Sequence, residues 1–195
     1  ILEDQRLPLN LPNILTLLRV AAIPVLVLLA HLESPWGNWG AAALFGAAAL
    51  TDLVDGWLAR RSGQTTVFGA FLDPVADKLI VATALVLLTE RFDDLLITLC
   101  ACVVIGREIV VSALREWMAR LGKEAAMTVN QIAKVKTTLQ MIAISFLFLL
   151  LPEHADSGWF LLGQTVLTVA VLLTLWSMVV YLRSFFLVIQ ESEQQ

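Results

Sequence analysis

Charged residues are scarce in this chain. Only 15% of its 195 residues are Asp, Glu, Lys or Arg, whereas 58% are hydrophobic and the mean hydropathy is +0.81. An ordinary soluble domain is roughly 45–50% apolar and about 25% charged. A water-soluble fold of this length cannot hide so much apolar surface, since even a ~150-residue domain buries only about 70% of the area that its unfolded chain exposes. The composition therefore predicts an integral membrane protein without a separate soluble catalytic domain.

Cysteine and histidine are also rare, with two residues of each. Cys100 and Cys102 lie in one apolar run, where a helix would point them to different faces. We therefore expect no disulfide and no thiolate metal site, and interpret both as small packing residues. His31 and His154 fall in connecting segments on the acid-rich side of the bundle, so no Ser-His-Asp arrangement is predicted at the other side. No small-residue cleavage site follows the first apolar run, so no cleavable signal peptide is predicted.

Six long apolar segments account for most of the chain. They are rich in Leu, Ala and Val, and the segments between them contain residues typical of helix ends. Lipid accepts only helices or closed barrels, and runs of this length without strict alternation favour helices. The sequence predicts one domain, an all-α bundle of six transmembrane helices with a short interfacial segment before it. The predicted bounds are 1–11 for the interfacial segment and 12–32, 39–60, 71–88, 95–121, 132–151 and 159–188 for the spans, within a domain of residues 1–195.

The connecting segments differ in charge between the two sides of the bundle. Three turns, near Glu33, residues 90–94 and residues 153–156, contain six acids and a single base, Arg91. The opposite side has most of the basic residues, namely Arg6, Arg19, Arg60, Arg61, Arg120, Lys123, Lys134, Lys136 and Arg183, with Lys78, Arg107 and Arg115 towards it. The positive-inside rule then predicts that both termini and the basic side face the cytoplasm.

Four aspartates lie in or at the ends of the second and third spans, near their predicted cytoplasmic ends. Asp52 and Asp55 are three residues apart and share a helix face. Asp73 and Asp77, four apart, do the same, and the polar segment 61–64 allows a turn that brings the two pairs together. A charge in a membrane segment costs roughly 2.5–3.5 kcal/mol, so four carboxylates require something positive among them. An all-oxygen site of this kind suits Mg²⁺ or Mn²⁺, and four carboxylates indicate two ions.

Small and basic residues accompany these acids. Gly56, Ala59 and Gly69 are explained equally well by close packing of membrane helices and by clearance for a bulky substrate. Arg60 would either pair with the acids or bind a phosphate with its guanidinium fork. Spacing alone does not separate these alternatives.

The pattern of these residues resembles the signature of the CDP-alcohol phosphotransferase family at all eight positions. It is Asp52-x2-Asp55-Gly56-x2-Ala59-Arg60-x8-Gly69-x3-Asp73-x3-Asp77. Further segments resemble the bacterial members that use a phosphorylated glycerol acceptor: residues 12–19, 68–78, 107–117 and 134–137. The resemblance therefore covers nearly the whole chain.

The resemblance implies attack of sn-glycerol 3-phosphate on the β-phosphorus of CDP-diacylglycerol, with release of CMP. It implies that Asp52, Asp55 and Asp73 hold two divalent cations, Mg²⁺ or Mn²⁺, and that Asp77 completes one coordination sphere. Asp77 is also the expected general base, which takes the proton from the attacking hydroxyl. We further expect direct in-line transfer by a homodimer in the bacterial cytoplasmic membrane.

Two groups of residues are expected to contact the substrates. The residues expected at CDP-diacylglycerol are Asn13, Thr16, Gly56, Ala59, Arg60 and Gly69. For Asn13 and Thr16, and for Arg19 in the same motif, helix capping is an equal alternative. The residues expected at glycerol 3-phosphate are Arg107, Arg115, Lys134 and Lys136, with Thr65 and Lys78 nearby.

Of the acceptor-binding candidates, Arg107 has the strongest argument. It lies in an apolar helix beside Glu108, where a charge needs a partner or a ligand. Arg115 is eight residues further on, a little over two turns, and faces a similar direction. Lys134 and Lys136 open the fifth span. The general cytoplasmic excess of basic residues would also explain such cations, and we prefer that explanation for Arg120 and Lys123.

Two other functions remain open at this point. The first is the same type of transfer to a different acceptor, inositol phosphate or serine, as in other members of the family. A divalent-cation carrier would also place acids inside a helix bundle, although here they cluster at one face. The sixth span, almost devoid of polar residues, is interpreted as scaffold or as a dimer face.

Overall fold

Six long helices make up the described part of the protein. The computed structural model describes residues 11–32, 34–62, 67–120 and 131–193. Inside these ranges, the structure describes the backbone but not the side chains of the following residues: 11–12, 52–62, 67–68, 70, 131–134, 184 and 187–193. The helices are α1 (Leu11–Ala30), α2 (Pro35–Ser62), α3 (Val67–Phe92), α4 (Leu95–Arg120), α5 (Gln131–Leu149) and α6 (Gly158–Glu193), with a short 3₁₀ turn at Pro152–His154. The described residues contain no strand, and the predicted all-α fold is confirmed.

Side-chain caps define the starts of three helices. In each case an oxygen accepts the backbone N–H three residues later, which satisfies one of the otherwise unpaired donors of the first turn. The pairs are Ser34 Oγ with Gly37 N (3.3 Å), Asp94 Oδ1 with Ile97 N (2.8 Å) and Ser157 Oγ with Phe160 N (3.2 Å). Because proline suits the first helical position, α2 begins at Pro35, earlier than the predicted span at residue 39.

The helices form a closed ring in the order α1, α2, α5, α6, α4, α3. Each helix packs on its two neighbours in this order, and α3 also contacts α5. Although α2 and α3 are consecutive in sequence, each packs more extensively on α1 than on the other. Helix α1 is therefore the main structural link between the two helices that contain the acidic motif.

The outer surface of the bundle is strongly apolar. Phe45, Leu85 and Phe148 are buried in the core, while Leu28 and Leu95 are at least 70% exposed. Such an apolar exterior fits lipid rather than water. Among the described residues, three segments are long and apolar enough to cross a membrane: Asn13–Ala30, Leu95–Arg120 and Gly158–Arg183. The apolar part of α5, Val135–Leu149, is shorter.

The acid-bearing connections lie at one end of the bundle. His31, after α1, is 3.5 Å from the Glu90 carboxylate near the end of α3. At the same end Arg91 donates a hydrogen bond to Asn38 of α2, and Gln164 Nε2 of α6 donates to Asp94 Oδ1 over 2.7 Å. We call Asn38, Arg91, Asp94 and Gln164 the Arg91 cluster. The predicted grouping of the acidic turns on one side thus agrees with these contacts.

Candidate active site

Three polar residues of α1 lie on one helix face. Asn13, Thr16 and Arg19 are spaced three apart, and all three are nearly fully buried in an otherwise apolar helix. A spacing of three keeps side chains on the same face. Burial of polar groups is favourable only when they have partners, so this face requires polar neighbours on an adjacent helix.

The partners of Thr16 and Arg19 are two acids of α3. Thr16 Oγ1 donates a hydrogen bond to Asp73 Oδ1, and Arg19 Nη1 forms an ion pair with Asp77 Oδ1. The second contact is one turn beyond the first on both helices, so α1 and α3 run parallel. Arg19 is 3% exposed and Asp77 31%, which places this ion pair at the boundary between the core and an accessible opening.

Arg19 provides positive charge beside the acids of α3, which the sequence predicts to be necessary. Four carboxylates in spanning helices require positive charge among them, and Arg19 supplies one such charge from α1. The sequence alone places Arg19 among the cytoplasmic bases and leaves helix capping as an alternative role for its motif. A usable signal was its position three residues after Thr16 in an apolar helix, where a charge requires a partner. The contact between Thr16 and Asp73 likewise favours a site role over capping for Thr16.

A small cavity adjoins the ion pair of Arg19 and Asp77. Its other lining residues are Phe45, Ala48 and Ala49 of α2, Ile80 of α3 and Met141 of α5. Ala48 and Ala49 are about one turn before Asp52, so α2 approaches Asp77 next to the first acid pair. The side chains of Asp52, Asp55, Gly56, Ala59 and Arg60 lie outside the described residues. Convergence of all four acids therefore remains a prediction, supported by the position of this cavity.

The described donors fit a hard metal ion by their chemistry. Asp73 and Asp77 present carboxylate oxygens from one face of α3, and the neighbouring Thr16 adds a hydroxyl oxygen. Oxygen ligands of this kind are those that Mg²⁺ and Mn²⁺ prefer. Among the residues that the structure describes, no three His, Cys, Asp or Glu side chains gather together. Their described side chains include only one of the two predicted acid pairs, Asp73 and Asp77.

A second polar cluster joins α4, α5 and α6. Lys136 of α5 is 2% exposed, and its Nζ donates to Ser177 Oγ of α6 over 2.9 Å. Arg107 and Glu108 of α4 form an ion pair with each other and lie within electrostatic range of Lys136. We call Arg107, Glu108, Lys136 and Ser177 the Lys136 cluster. The structure thus brings together two of the predicted acceptor-binding cations, from different helices.

Lys78 connects this cluster to the acids of α3. Lys78 Nζ donates to Ser112 Oγ over 2.5 Å, and that hydroxyl donates in turn to the Glu108 backbone carbonyl over 2.5 Å. Lys78 directly follows Asp77, so the acidic pair and the cations of α4 occupy neighbouring parts of the bundle. This agrees with the predicted placement of Lys78 near the acceptor.

The structure places two further predicted residues on α4 and α3. Arg115 is exposed on α4, about two turns beyond Arg107. Gly69 is buried near the start of α3. Thr65 and the side chain of Lys134 lie outside the described residues. The roles predicted for these four residues therefore remain predictions.

Comparison with known families identifies the class of this bundle. The sequence profile of the CDP-alcohol phosphatidyltransferase family matches residues 9–188, and the chain belongs to this family. The resemblance predicted from the eight motif positions is thus confirmed. Members of the family generally use divalent cations.

Individual relatives are similar over nearly their whole length. A Pseudomonas fluorescens protein is 52% identical over 177 residues, which cover 90% of each chain. An Escherichia coli K12 protein is 50% identical over 176 residues, or 89% of this chain and 93% of the relative. A Shigella flexneri protein is 50% identical over 174 residues, with the same coverage. All three relatives are named CDP-diacylglycerol–glycerol-3-phosphate 3-phosphatidyltransferase.

Proposed function

We propose that this protein transfers a phosphatidyl group from CDP-diacylglycerol to sn-glycerol 3-phosphate, which gives phosphatidylglycerol phosphate and CMP. The observation that carries the proposal is identity of 50–52% to relatives named for this transfer, over about nine-tenths of the chain. The geometry supports it independently. Asp73 and Asp77, a pair suited to metal binding, lie beside a buried cluster of cations suited to a phosphorylated acceptor.

The acids are assigned to metal binding. Asp52, Asp55 and Asp73 would hold two divalent cations, Mg²⁺ or Mn²⁺, and Asp77 would complete one coordination sphere. When bound, such ions neutralise the pyrophosphate and stabilise the charge that develops on the leaving oxygen of CMP. The all-oxygen chemistry of Asp73, Asp77 and Thr16 supports this assignment.

Asp77 is assigned the proton transfer. Its carboxylate takes the proton from the attacking hydroxyl of the acceptor. As this proton leaves, the hydroxyl oxygen bonds to the β-phosphorus, and the bond from that phosphorus to the bridging oxygen of CMP breaks. Arg19 holds Asp77 through the ion pair between α1 and α3, and so fixes the direction of the carboxylate.

The substrates would be held by two groups of residues. Those assigned to CDP-diacylglycerol are Asn13, Thr16, Gly56, Ala59, Arg60 and Gly69. Those assigned to the phosphate of the acceptor are Arg107, Lys136, Lys78, Arg115, Lys134 and Thr65. The buried position of Lys136 and the largely buried position of Arg107 support the second assignment, because cations in a low-dielectric site attract a phosphate more strongly than exposed ones do.

The location proposed for the enzyme is the bacterial cytoplasmic membrane. The chain would form one domain over residues 1–195 with six spans, and its termini and active site would face the cytoplasm. The apolar exterior and the shared end of the acidic turns support this orientation. A homodimer is proposed on the family resemblance alone.

The competing cation carrier is disfavoured by where the acids of the motif lie. Asp52, Asp55, Asp73 and Asp77 cluster towards one end of α2 and α3 in the sequence, whereas a carrier needs polar groups along a path through the bundle.

A CMP-release assay tests the proposal. Purified protein in detergent is given CDP-diacylglycerol, Mn²⁺ or Mg²⁺, and in turn glycerol 3-phosphate, inositol phosphate or serine. We expect CMP only with glycerol 3-phosphate, loss of release with EDTA, and recovery when the metal is restored. Equal release with serine or inositol phosphate would reject the proposed acceptor. Absence of release with every acceptor, together with metal flux into proteoliposomes, would reject the enzyme.

A further inference from the structure

We infer that Ser177 of α6 is a positioning residue for the phosphorylated acceptor, and that it acts through Lys136. The inference rests on the proposed function, and it gives α6 a part in the site. From the sequence alone, that helix is interpreted as scaffold or as a dimer face. The observation behind it is the hydrogen bond of 2.9 Å from Lys136 Nζ to Ser177 Oγ, which the structure records as buried.

The charge balance of the Lys136 cluster leaves one positive charge in excess. Arg107 and Lys136 are cations, and the single acid of the cluster, Glu108, is already paired with Arg107. Lys136 makes no ion pair among the described residues, although it is 2% exposed. An excess of charge in a buried cluster is costly and marks a functional position in a membrane bundle. A phosphate dianion is a ligand that would compensate this excess.

Serine suits this position because it orients the ammonium without neutralising it. A lysine side chain is a flexible four-carbon stem with three N–H donors at its tip. The hydroxyl of Ser177 accepts one of these donors, and two remain for an acceptor phosphate. A carboxylate at the same place would also fix Lys136, but it would cancel the charge and repel the phosphate.

Lys136 and Ser177 lie on two helices that pack closely against each other. A Cβ atom added at Gly163 of α6 would lie 2.8 Å from Leu147 Cδ2 and 3.1 Å from Phe146 Cδ1, both on α5. The two helices therefore approach closely at Gly163, and about four turns further along α6 the hydrogen bond of Lys136 to Ser177 joins the same pair of helices. Functional groups on packed helices are held more accurately than groups on loops.

The experiment measures separate KM values for glycerol 3-phosphate and for CDP-diacylglycerol. For Ser177→Ala we expect the KM for glycerol 3-phosphate to rise about tenfold, as loss of a hydrogen bond to a charged group predicts. The kcat and the KM for CDP-diacylglycerol should change by less than about twofold. Ser177→Thr keeps the hydroxyl and should restore the wild-type KM. If Ser177→Ala does not fold, Ser177→Cys, close in size but a weak acceptor, should show a rise in the same constant.

Thr174→Val provides the matched control. Thr174 is three residues before Ser177 on α6, and both residues are buried (2% and 8% exposed), so the variant removes a neighbouring buried hydroxyl while it preserves shape. It should leave both KM values unchanged. A Ser177→Ala enzyme with unchanged KM for glycerol 3-phosphate, or with both KM values raised equally, overturns the inference while the proposed function stands. A wild-type protein that releases no CMP with glycerol 3-phosphate overturns both.

Discussion

At the scale of single residues, the acids of the candidate site can be predicted from the sequence, whereas their hydrogen-bond and ion-pair partners cannot. The spacing of Asp73 and Asp77 in an apolar segment identified both as site candidates. Their partners, Thr16 and Arg19, are 57 and 58 residues away in sequence. Such contacts depend on how α1 packs on α3, and no local pattern encodes that packing. What the sequence did provide was the electrostatic requirement that some positive charge lie among the acids.

Replacement of Arg19 should impair turnover more than stability of the bundle. Arg19→Gln removes the charge that holds Asp77, and misplacement of a catalytic group by about 1 Å costs on the order of 10²-fold in rate. We expect kcat in the CMP-release assay to fall by about that factor. Arg120→Gln breaks an exposed ion pair with Glu116 on α4 and should leave kcat within about twofold. Equal effects of the two substitutions would contradict the role given to Arg19.

The carboxylate of Asp77 can be tested by an isosteric change. Asp77→Asn keeps the size of the side chain but removes the base, and general-base catalysis contributes about 10²- to 10⁴-fold. Turnover should fall by that amount, while binding of CDP-diacylglycerol, measured by isothermal titration calorimetry, should persist. Asp93→Asn, at an exposed position at the other end of the bundle, is the control. Loss of lipid binding to the same degree as turnover would mean that Asp77 acts mainly as a metal ligand and would contradict its role as the base.

His31 is a titratable group outside the spanning helices with a defined environment. Its Nδ1 contacts the Val27 carbonyl at 2.8 Å and its Nε2 lies near Glu90, and these neighbours raise the pKa of His31 above its usual value. The raised pKa means that the charged ring stabilises the fold. This contribution is fully present below the ordinary pKa of about 6.5 and is lost as the pH rises through the raised value.

An NMR titration measures this effect directly. The chain has two histidines, so His154→Gln leaves His31 as the single imidazole signal. Glu90→Gln removes the carboxylate and should lower the pKa of His31. An unchanged titration curve in Glu90→Gln would show that the contact across the ends of α1 and α3 does not exist in solution.

At the scale of helices, hydropathy located the segments but not their ends. The third span was predicted at 71–88, whereas α3 runs from Val67 to Phe92. Charged residues such as Glu90 interrupt the apolar run without interrupting the helix. The actual end is defined by Asp93, which has a φ of 47° and donates its N–H to the Thr89 carbonyl over 3.1 Å. A left-handed residue at the end of a helix is usually glycine, so an aspartate in this position is only a weak sequence signal for the helix end.

The turn from α1 to α2 depends on one glycine. A Cβ atom at Gly37 would lie 2.7 Å from the Leu29 carbonyl oxygen and 2.7 Å from Leu32 Cβ, so backbone would have to move. Gly37→Ala should therefore lower the free energy of unfolding by about 1–3 kcal/mol. Gly106→Ala on α4 meets no atom within 4 Å and should be neutral or slightly stabilising. Thermal unfolding in detergent compares the two, and equal melting temperatures would refute the close approach.

At the scale of the whole molecule, sequence adjacency was an incomplete guide to spatial adjacency. The acidic motif runs continuously through α2 and α3, which suggested that these helices face each other directly. In the ring, both pack more extensively on α1, whose polar face contacts the acids of α3. The number and order of helices follow from hydropathy, whereas the ring order depends on the shapes of packed faces. The same limit applies to Lys136, because its partner on α6 lies 41 residues away.

The charge difference between the two ends predicts how the molecule lies in the membrane. The Arg91 cluster and the acidic turns form one end, and the basic ends of α4 and α5 form the other. Positive residues are retained in the cytoplasm, so residues 153–156 should face outwards and the end of α4 inwards.

A background without Cys100 and Cys102 permits single-cysteine labelling. Glu153→Cys should react with a membrane-impermeant maleimide in intact spheroplasts, whereas Arg120→Cys should react only in inverted vesicles. Labelling of both sites from the same side would exclude a spanning orientation of α5, the helix between them, and the reverse pattern would move the proposed active site out of the cytoplasm.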